Sequence, residues 1–192
     1  AYELEKIDSS YRSAISVQSS LVIHPINEFG SEEQKYRFLS DLIEGKKIGC
    51  FGLTESEAGS DPSSMKTSYK EVKDGYILNG TKNWITNAPI ADIFIIWAIE
   101  ENNNHKSIKG FILEKNFNGL NISNIENKTS LKISPTGQII LNNVFVPKNL
   151  CLKKTDGWKS VFSCLNKARF GISWGVLGTA SECWMIAKDY VA

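Results

Sequence analysis

The first segment of the chain has apolar residues at helical spacing. Successive members of this set lie mostly three or four positions apart: Leu4, Ile7, Tyr11, Ala14 and Ile15. The period predicts one amphipathic helix over residues 2–21, which we expect Pro25 to end. Arg12 and Ser16 lie four positions apart. A helix therefore places both on one face, away from the centre of the apolar stripe.

A second, shorter helix is predicted over residues 32–44. Ser31 and Gln34 have the spacing of a capping box, and two acidic residues in the first turn favour a helix start. Gly45 is the natural end, because glycine readily adopts the left-handed conformation that follows many helices. An apolar run over residues 48–53 comes next and changes abruptly into a polar loop.

From residue 68 onward the pattern becomes that of strands, and Asp74-Gly75 is a strong hairpin signal. The predicted strands cover residues 69–72, 76–79, 82–86, 93–99, 108–114, 120–125 and 138–146. Pro147 should stop the pairing of the last strand. The middle of the chain is therefore predicted to be a β domain.

Apolar residues return at helical spacing from Val161 to the end of the chain, after a linker rich in Lys and Asp. This pattern predicts a long helix of the bundle type. Gly171, Gly175 and Gly178 are unfavourable inside a helix. Their presence indicates close approach of another helix or a ligand, or a local bend. The order of elements predicts an α+β chain with helices on both sides of the β domain.

Composition and charge exclude several kinds of protein. The 192 residues carry a formal net charge of +1, with 22 basic residues scattered among 21 acidic ones. Without a basic stripe, nucleic-acid binding is not expected. The longest apolar run, residues 93–99, is much shorter than the ~20 residues that cross a bilayer. Four cysteines form no Cys-x-x-Cys pair and lie mainly in apolar surroundings, which favours a reducing compartment.

The chain contains no nucleophile elbow, glycine-rich phosphate loop, His-Glu-x-x-His motif or Cys/His cluster. Its chemistry must therefore come from a bound organic cofactor or be absent. Neither histidine changes this: His24 precedes Pro25 and is interpreted as a structural turn residue, and His105 lies in a polar loop and is given no role. The two acids Glu126 and Glu182 lie in the wrong context for a general base.

Two segments could frame a flat aromatic ring. The polar loop over residues 54–61 has small residues and hydroxyls that let backbone amides approach a ligand, although alone it is most simply a solvated turn. Strand alternation would send Trp84 and Thr86 to the same side. Trp84 could then cover a ring edge while Thr86 donates to a ring nitrogen. Equally, Trp84 could belong to the core.

Residues 51–61 and 79–87, in this order and spacing, resemble the acyl-CoA dehydrogenase family. Within it, residues 11–20, 50–64 and 165–172 are similar to the glutaryl-CoA dehydrogenases. The resemblance covers essentially the whole chain. It implies the end of an N-terminal helical domain over residues 1–45, a middle antiparallel β-barrel or sandwich domain over 46–150, and the start of a C-terminal helical bundle over 151–192.

The resemblance also implies an FAD cofactor between the β domain and the helices. The positions that match its binding site are Phe51, Gly52, Leu53, Thr54, Gly59, Ser60, Trp84, Ile85 and Thr86. The positions that match the acyl-CoA site are Arg12, Ser13, Ser16, Ser60, Phe162, Leu165 and Arg169. Arg12 and Ser16 would hold the distal carboxylate of a glutaryl chain. A guanidinium in an otherwise apolar acyl pocket needs such a carboxylate, which agrees with a dicarboxylic substrate.

The reaction implied is oxidative decarboxylation of glutaryl-CoA to crotonyl-CoA and CO2, with an α-proton removed and a hydride passed to the flavin. An electron-transfer flavoprotein would accept the electrons, and the enzyme would be a homotetramer of the mitochondrial matrix or the bacterial cytoplasm. Both chain ends lie inside helical patterns, so we interpret the chain as a fragment. The general base, a Glu, is expected beyond Ala192, and this chain alone would be inactive.

Ser56 stands where the family's loop usually has a Pro. This difference loosens the turn but leaves its backbone donors in place. Two other functions stay open at this point. One is a dehydrogenase of another short-chain acyl-CoA, with Arg12 at the surface, and the other is a non-catalytic relative that binds flavin or acyl-CoA.

Overall fold

The computed structural model describes residues 1–101 and 107–192, and the predicted polar loop with His105 lies outside the described residues. Helices precede and follow a sheet of seven strands, which confirms the predicted α+β architecture. No helix in the described part of the chain is both long and apolar enough to cross a membrane.

The N-terminal segment forms four consecutive helical pieces. They are α1 (Tyr2–Ile7), α2 (Ser9–Ser16), a π-helix (Val17–Ile23) and α3 (His24–Phe29). The prediction of one helix over residues 2–21 is therefore wrong. Asp8 has an extended backbone, and its side chain caps α2 by accepting a hydrogen bond from the Ser10 amide at 2.6 Å. Pro25 does not end the segment but lies in the first turn of α3, where a missing N–H is no loss.

Helix α4 (Glu32–Ile43) confirms the predicted capping box. The Ser31 hydroxyl accepts from the Gln34 amide at 3.2 Å, and the Gln34 side chain accepts from the Ser31 amide at 2.9 Å. Gln34 also donates to the carbonyls of Asn149 and Cys151, at 2.7 and 3.0 Å. One side chain thus starts the helix and fixes it to the end of the β domain. Gly45 follows with φ +71°, as expected of a helix end.

The strands are β1 (Gly49–Gly52), β2 (Ser68–Val72), β3 (Gly75–Thr86), β4 (Ile93–Glu100), β5 (Ile108–Glu114), β6 (Leu120–Asn124) and β7 (Thr136–Pro147). Their order in the sheet is β1-β4-β2-β3-β7-β6, and β5 pairs with the other edge of β4. The sheet is mixed rather than purely antiparallel, because β4 runs parallel to both β1 and β2.

The two strands predicted over residues 76–79 and 82–86 form the single strand β3. Register shifts between Leu78 and Gly80, and between Lys82 and Ile85, interrupt its pairing with β7 without ending the strand. The first shift adds its extra residue to β7 and leaves the alternation of β3 in phase as far as Lys82, whereas the second adds a residue to β3 itself. The second shift lies next to Trp84 and is important for the site.

Helix α5 (Gly157–Val191) confirms the long helix predicted at the end of the chain. Its glycines meet α1 and α2: Gly175 lies against Glu5, Gly178 against the backbone of Tyr2, and Gly171 faces Ser16. The predicted close approach is therefore confirmed, and the neighbour is another helix. Much of the remaining surface of α5 is exposed and apolar. The large side chains concerned are Phe170, Ile172, Trp174, Val176, Leu177, Trp184, Met185, Ile186, Tyr190 and Val191.

Replacing each of two of these glycines by alanine should change the stability of the protein in opposite directions. A Cβ on Gly178 would overlap the Tyr2 carbonyl, whereas a Cβ on Gly171 would meet its nearest atom, the Ser16 hydroxyl, at 3.8 Å. We expect Gly171→Ala to raise the free energy of unfolding by up to about 1 kcal/mol through helix propensity. Gly178→Ala should lower it by about 1–3 kcal/mol through overpacking. Chemical denaturation of the full-length protein measures both, and equal effects would contradict this packing.

Candidate functional site

The two segments suspected of framing a ring lie side by side. The amide of Asn83 donates to the carbonyl of Thr54 at 2.9 Å, and the Asn83 side chain donates to the Ser56 hydroxyl at 3.0 Å. The same side chain accepts from the Trp84 amide at 3.0 Å. Backbone and side-chain hydrogen bonds therefore join the polar loop to the end of β3. Ser56, the residue that departs from the family's usual loop, takes part in this junction.

A groove of about 160 Å³ opens beside this junction. Its lining comes from the π-helix, the end of β1, the end of β3 and α5: Val17, Leu21, Phe51, Leu53, Thr54, Trp84, Ile85, Thr86 and Leu165. The walls are mostly apolar, and two hydroxyls lie among them. Neither the Thr54 nor the Thr86 hydroxyl makes a hydrogen bond with any residue that the structure describes. Apolar walls with a few unpaired polar groups suit a flat ring with a polar edge.

The indole of Trp84 owes its position to a backbone irregularity. The register shift beside it adds one residue to β3, and Trp84 itself has φ +60°, an uncommon value for a bulky residue. As a result Trp84 is 58% exposed while the next residue, Ile85, is 3% exposed. Trp84 is thus no core residue. Trp84 and Thr86 both line the groove, as does Ile85 between them, and the shared side of Trp84 and Thr86 stays a prediction.

A larger hollow of about 410 Å³ lies beyond Trp84. Trp84 and Thr86 form one wall, and residues 126–131 with Thr136 form the other. We call residues 126–136 the wall loop. Sequence reasoning assigned this loop no role. In the sequence, a polar run before a strand looks the same as an ordinary connecting loop. Only the pairing of β3 with β7 brings this loop opposite Trp84.

A buried ion pair lies beneath the polar loop. The Lys82 ammonium is fully buried and donates to the Glu55 carboxylate at 2.9 Å and to the Leu53 carbonyl at 3.0 Å. Glu55 also accepts from the amides of Lys66 and Thr67, at 2.7 and 2.9 Å. Sequence reasoning missed the pair. The sequence contained one signal of this burial. Lys82 lies an even number of positions after the inward residues of β3, so strand alternation places it on the same inward face.

The pKa of each member of this pair is lowered, for different reasons. For Lys82 burial disfavours the charged form and lowers the pKa from 10.5 to about 8, although the attraction of Glu55 opposes the shift. Burial alone would raise the pKa of Glu55. The charge of Lys82 and the hydrogen bonds from Lys82, Thr67 and Lys66 outweigh it, so the pKa of Glu55 is lowered. Both groups are therefore charged at neutral pH.

A second buried ion pair involves Arg12. Its Nε donates to the carboxylate of Glu5, and a longer contact of 3.5 Å joins Nη2 to the other carboxylate oxygen. Arg12 is 9% exposed and Glu5 is 6% exposed. Sequence reasoning expected a ligand carboxylate to offset this buried guanidinium, but Glu5 of the same chain does so. Burial of Arg12 by itself therefore does not require a dicarboxylic ligand.

Glu5 was also missed from the sequence. It lies seven positions before Arg12, or about two helical turns, but α1 and α2 are separate helices. Only their packing against Gly175 of α5 brings the carboxylate to the guanidinium.

The other expected substrate positions are spread around α2 and α5. Ser13 and Ser16 are half-buried, and Ser16 faces α5. Leu165 lines the groove. Phe162 is 42% exposed, and Arg169 is exposed and donates to the Asn166 side chain at 2.8 Å.

Three expected cofactor positions lie away from the groove lining. Gly59 and Ser60 are on the polar loop and Ser60 is exposed, as is Asp61 next to it. Gly52 lies inside the sheet, where a Cβ would approach Ile96 to 2.5 Å. Gly52 therefore allows β1 to pack closely against β4, a role the sequence does not distinguish from ligand binding.

This arrangement is a β domain flanked by helices with a groove between them, and comparison with known proteins identifies its family. Residues 1–46 match the family model described as acyl-CoA dehydrogenase, N-terminal domain, and residues 50–144 match the middle domain of the same family. The chain belongs to the acyl-CoA dehydrogenase family, as the sequence resemblance indicated.

Individual relatives agree with this assignment. The chain is 36% identical over 191 residues to the short-chain specific acyl-CoA dehydrogenase of Clostridium acetobutylicum, covering 98% of this chain and 50% of that protein. A glutaryl-CoA dehydrogenase from Mycobacterium smegmatis in complex with FADH2 has a TM-score of 0.89 and 43% identity, covering 93% of this chain and 45% of that one. Butyryl-CoA dehydrogenase from Megasphaera elsdenii has a TM-score of 0.93 and 36% identity, covering 98% and 50%. The chain thus spans about half the length of the curated relatives it matches.

Removal of one partner from the Lys82–Glu55 pair should be strongly destabilising. Glu55→Gln leaves a buried ammonium without its counter-charge, and we expect the free energy of unfolding to fall by roughly 3–5 kcal/mol. Glu57→Gln is the matched control, because Glu57 pairs with Lys66 at an exposed site. The control should change stability by less than about 0.5 kcal/mol.

The same pair should give stability a defined pH dependence. Since the pKa of Lys82 is about 8 in the folded protein against an ordinary 10.5, the unfolded chain holds this proton more tightly between those pH values. The contribution of Lys82 to stability therefore increases as pH rises from 8 to 10.5. Glu55, with its lowered pKa, contributes stability above its ordinary value of 4.5 that is lost as pH falls below it. Denaturation at several pH values measures how the free energy of unfolding depends on pH. The wild type should show both the rise from pH 8 to 10.5 and the loss below pH 4.5, and the double variant Lys82→Met/Glu55→Gln should lack both contributions.

Proposed function

We propose that the full-length protein is an FAD-dependent acyl-CoA dehydrogenase whose substrate is glutaryl-CoA, which it converts to crotonyl-CoA and CO2. The single observation that supports glutaryl-CoA as the substrate is the geometry around Arg12. Glu5 holds the guanidinium against α5, with Ser16 one helical turn away on the same side. Membership of the family supports the reaction class, and the groove beside Trp84 supports the FAD cofactor.

The groove has the chemistry that a flavin ring needs. Val17, Leu21 and Leu165 supply apolar surface that excludes water, and the free hydroxyls of Thr54 and Thr86 lie where a polar ring edge would need partners. The Mycobacterium smegmatis relative in complex with FADH2 supports the same cofactor here. A flavin bound in this groove would supply the acceptor for a hydride from the acyl chain.

Arg12 keeps donors free for a second carboxylate. A guanidinium has five N–H donors in a planar fork. Glu5 engages Nε and Nη2, and no acceptor among the described residues meets Nη1. The Ser16 hydroxyl likewise has no hydrogen-bond partner in the described part of the chain. Glu5 therefore holds the fork in place before the substrate arrives, and Nη1 with Ser16 can receive the distal carboxylate of a dicarboxylic chain.

A short uncharged acyl chain is the second candidate substrate. Glu5 neutralises the charge of Arg12, so the ion pair is stable without a ligand carboxylate. The relatives from Clostridium acetobutylicum, named as short-chain specific, and from Megasphaera elsdenii, named as a butyryl-CoA dehydrogenase, favour this alternative.

The proposal includes an electron-transfer flavoprotein as the electron acceptor and a homotetrameric enzyme in the mitochondrial matrix or the bacterial cytoplasm. The exposed apolar surface of α5 supports a partner surface on that helix. The buried, unpaired thiols of Cys50, Cys151 and Cys164 support a reducing compartment. Burial raises the pKa of all three thiols, so they stay protonated and unreactive.

Substrate preference tests the proposal directly. We expect the full-length, FAD-loaded enzyme to lose its oxidised-flavin absorbance faster with glutaryl-CoA than with butyryl-CoA, and to release CO2 from glutaryl-CoA. Stopped-flow absorbance and a CO2 assay measure the two. A preference for butyryl-CoA would contradict the dicarboxylate assignment and leave the reaction class standing, whereas no reduction by either would contradict the reaction class.

The role of Arg12 has a test that avoids an unpaired buried charge. The double variant Glu5→Gln/Arg12→Gln removes both charges of the pair. Its kcat/KM for glutaryl-CoA should fall about 10- to 150-fold, since a hydrogen bond to a charged group contributes roughly 1.5–3 kcal/mol. Its value for butyryl-CoA should change little. Arg37→Gln/Glu114→Gln removes a similar pair from a partly exposed site and is the matched control. Equal losses with both substrates would assign Arg12 and Glu5 a structural role only.

A further inference from the structure

We propose that the buried pair of Lys82 and Glu55 raises the reduction potential of the bound flavin, because Lys82 polarises a peptide bond in the wall of the groove. This inference rests on the proposed function and concerns the FAD cofactor rather than the acyl chain. Lys82 does not itself line the groove. It is therefore a positioning residue, which acts on the cofactor through the backbone of the polar loop.

The Lys82 ammonium is directed at one peptide bond of the groove wall. Nζ donates to the Leu53 carbonyl at 3.0 Å and to the Glu55 carboxylate at 2.9 Å, and the Met65 sulfur lies at 3.7 Å. These contacts account for the three N–H donors of an ammonium. Lys82 is fully buried, whereas Leu53 and Thr54 both line the groove. A positive charge therefore lies one hydrogen bond away from the groove wall.

The amide of Thr54 belongs to the same peptide bond as the Leu53 carbonyl. This bond is trans, so its C=O and its N–H point in opposite directions. Because the carbonyl points at Lys82, the Thr54 N–H points away from the buried pair. No residue in the described part of the chain accepts a hydrogen bond from it. A free backbone donor, backed by a buried cation, is therefore available to a ligand in the groove.

Glu55 does not cancel the effect of the ammonium on this peptide bond. Its carboxylate accepts from the amides of Lys66 and Thr67, at 2.7 and 2.9 Å, in the turn before β2. The Leu53 carbonyl, by contrast, is bound by the ammonium. The pair is thus a dipole whose positive end contacts the groove wall and whose negative end contacts that turn. Such a dipole is screened less in the protein interior than in water.

A positive charge behind this donor favours the reduced form of the flavin. A hydride from the acyl chain brings two electrons and one proton, so the ring system gains one negative charge. Fixed N–H donors at a site where negative charge develops stabilise that charge without reorganisation. Hydrogen bonds in series polarise one another, so Lys82 makes the Thr54 N–H a stronger donor. The reduced flavin is then stabilised more than the oxidised flavin, and the reduction potential rises.

The experiment measures the flavin reduction potential of the full-length, FAD-loaded enzyme without substrate, by titration against a reference dye. Lys82→Met/Glu55→Gln removes both charges together, a change that protein interiors often tolerate. Lys82→Gln/Glu55→Gln removes the same charges but keeps an N–H donor at position 82. Arg37→Gln/Glu114→Gln removes a pair from a partly exposed site and is the control. Fluorescence titration of each apoprotein gives the Kd for oxidised FAD.

We expect both variants at position 82 to lower the ratio of reduced to oxidised flavin about tenfold at a fixed solution potential. For a two-electron couple this corresponds to a fall of about 30 mV in the reduction potential. The Kd for oxidised FAD should stay within about threefold of the wild-type value, because the oxidised ring lacks the added charge. The control should match the wild type in both measurements.

An unchanged potential in both variants would overturn the inference, and a loss of affinity for oxidised FAD in that case would show that the pair only shapes the loop. A fall in the Met variant alone would also overturn it, since the hydrogen bond rather than the charge would then act. If the Met variant does not fold, the Gln variant decides, because it lacks the same charges.

Failure of the proposed function gives a different result. A full-length protein that binds no FAD would overturn both the function and the inference. A wild type that prefers butyryl-CoA would contradict only the dicarboxylate assignment. The shifts in potential would then still be expected, because they are measured without substrate.

Discussion

Lys82 and Glu55 form an ion pair in the protein interior, and three segments meet at that point. Lys82 belongs to β3, Glu55 to the polar loop, and the amides that bind Glu55 belong to the turn before β2. Removing two charges from water is unfavourable unless their remaining hydrogen bonds are satisfied, and here a carbonyl and two amides satisfy them. The pair is therefore compatible with one arrangement of loop and strand, which is the arrangement that forms the groove.

The site above this pair depends on backbone more than on side chains. Asn83 joins the loop to β3, and the extra residue in β3 turns Trp84 outward while Ile85 stays in the core. The same irregular strand pairs with β7, whose beginning carries the wall loop. One strand with a bulge thus separates the narrow groove from the wider hollow, and a ligand can contact both because Trp84 and Thr86 line each of them.

The pair of Arg12 and Glu5 shows how tertiary contacts change an argument made from sequence. The rule that a buried guanidinium needs a carboxylate holds, but Glu5 satisfies it before any substrate is present. The burial of Arg12 therefore does not by itself support a dicarboxylic substrate. The N–H donors that Glu5 leaves free do support it. The glycines of α5 make the arrangement possible, since a side chain at Gly175 would occupy the space of the Glu5 carboxylate.

The sequence by itself determined the order of elements, α4 with its capping box, the long helix α5, the buried run of β4 and the likeness of two segments to a flavin site. These features depend on neighbours a few residues apart, and local periodicity reports such neighbours directly. Only the tertiary structure decided the break at Asp8, the fusion of two predicted strands into β3, the parallel pairing of β4, the turn of Trp84 and the partners of Lys82 and Arg12. Periodicity defines which face of an element is buried, but a buried charge finds its partner through packing between elements that the sequence pattern does not specify.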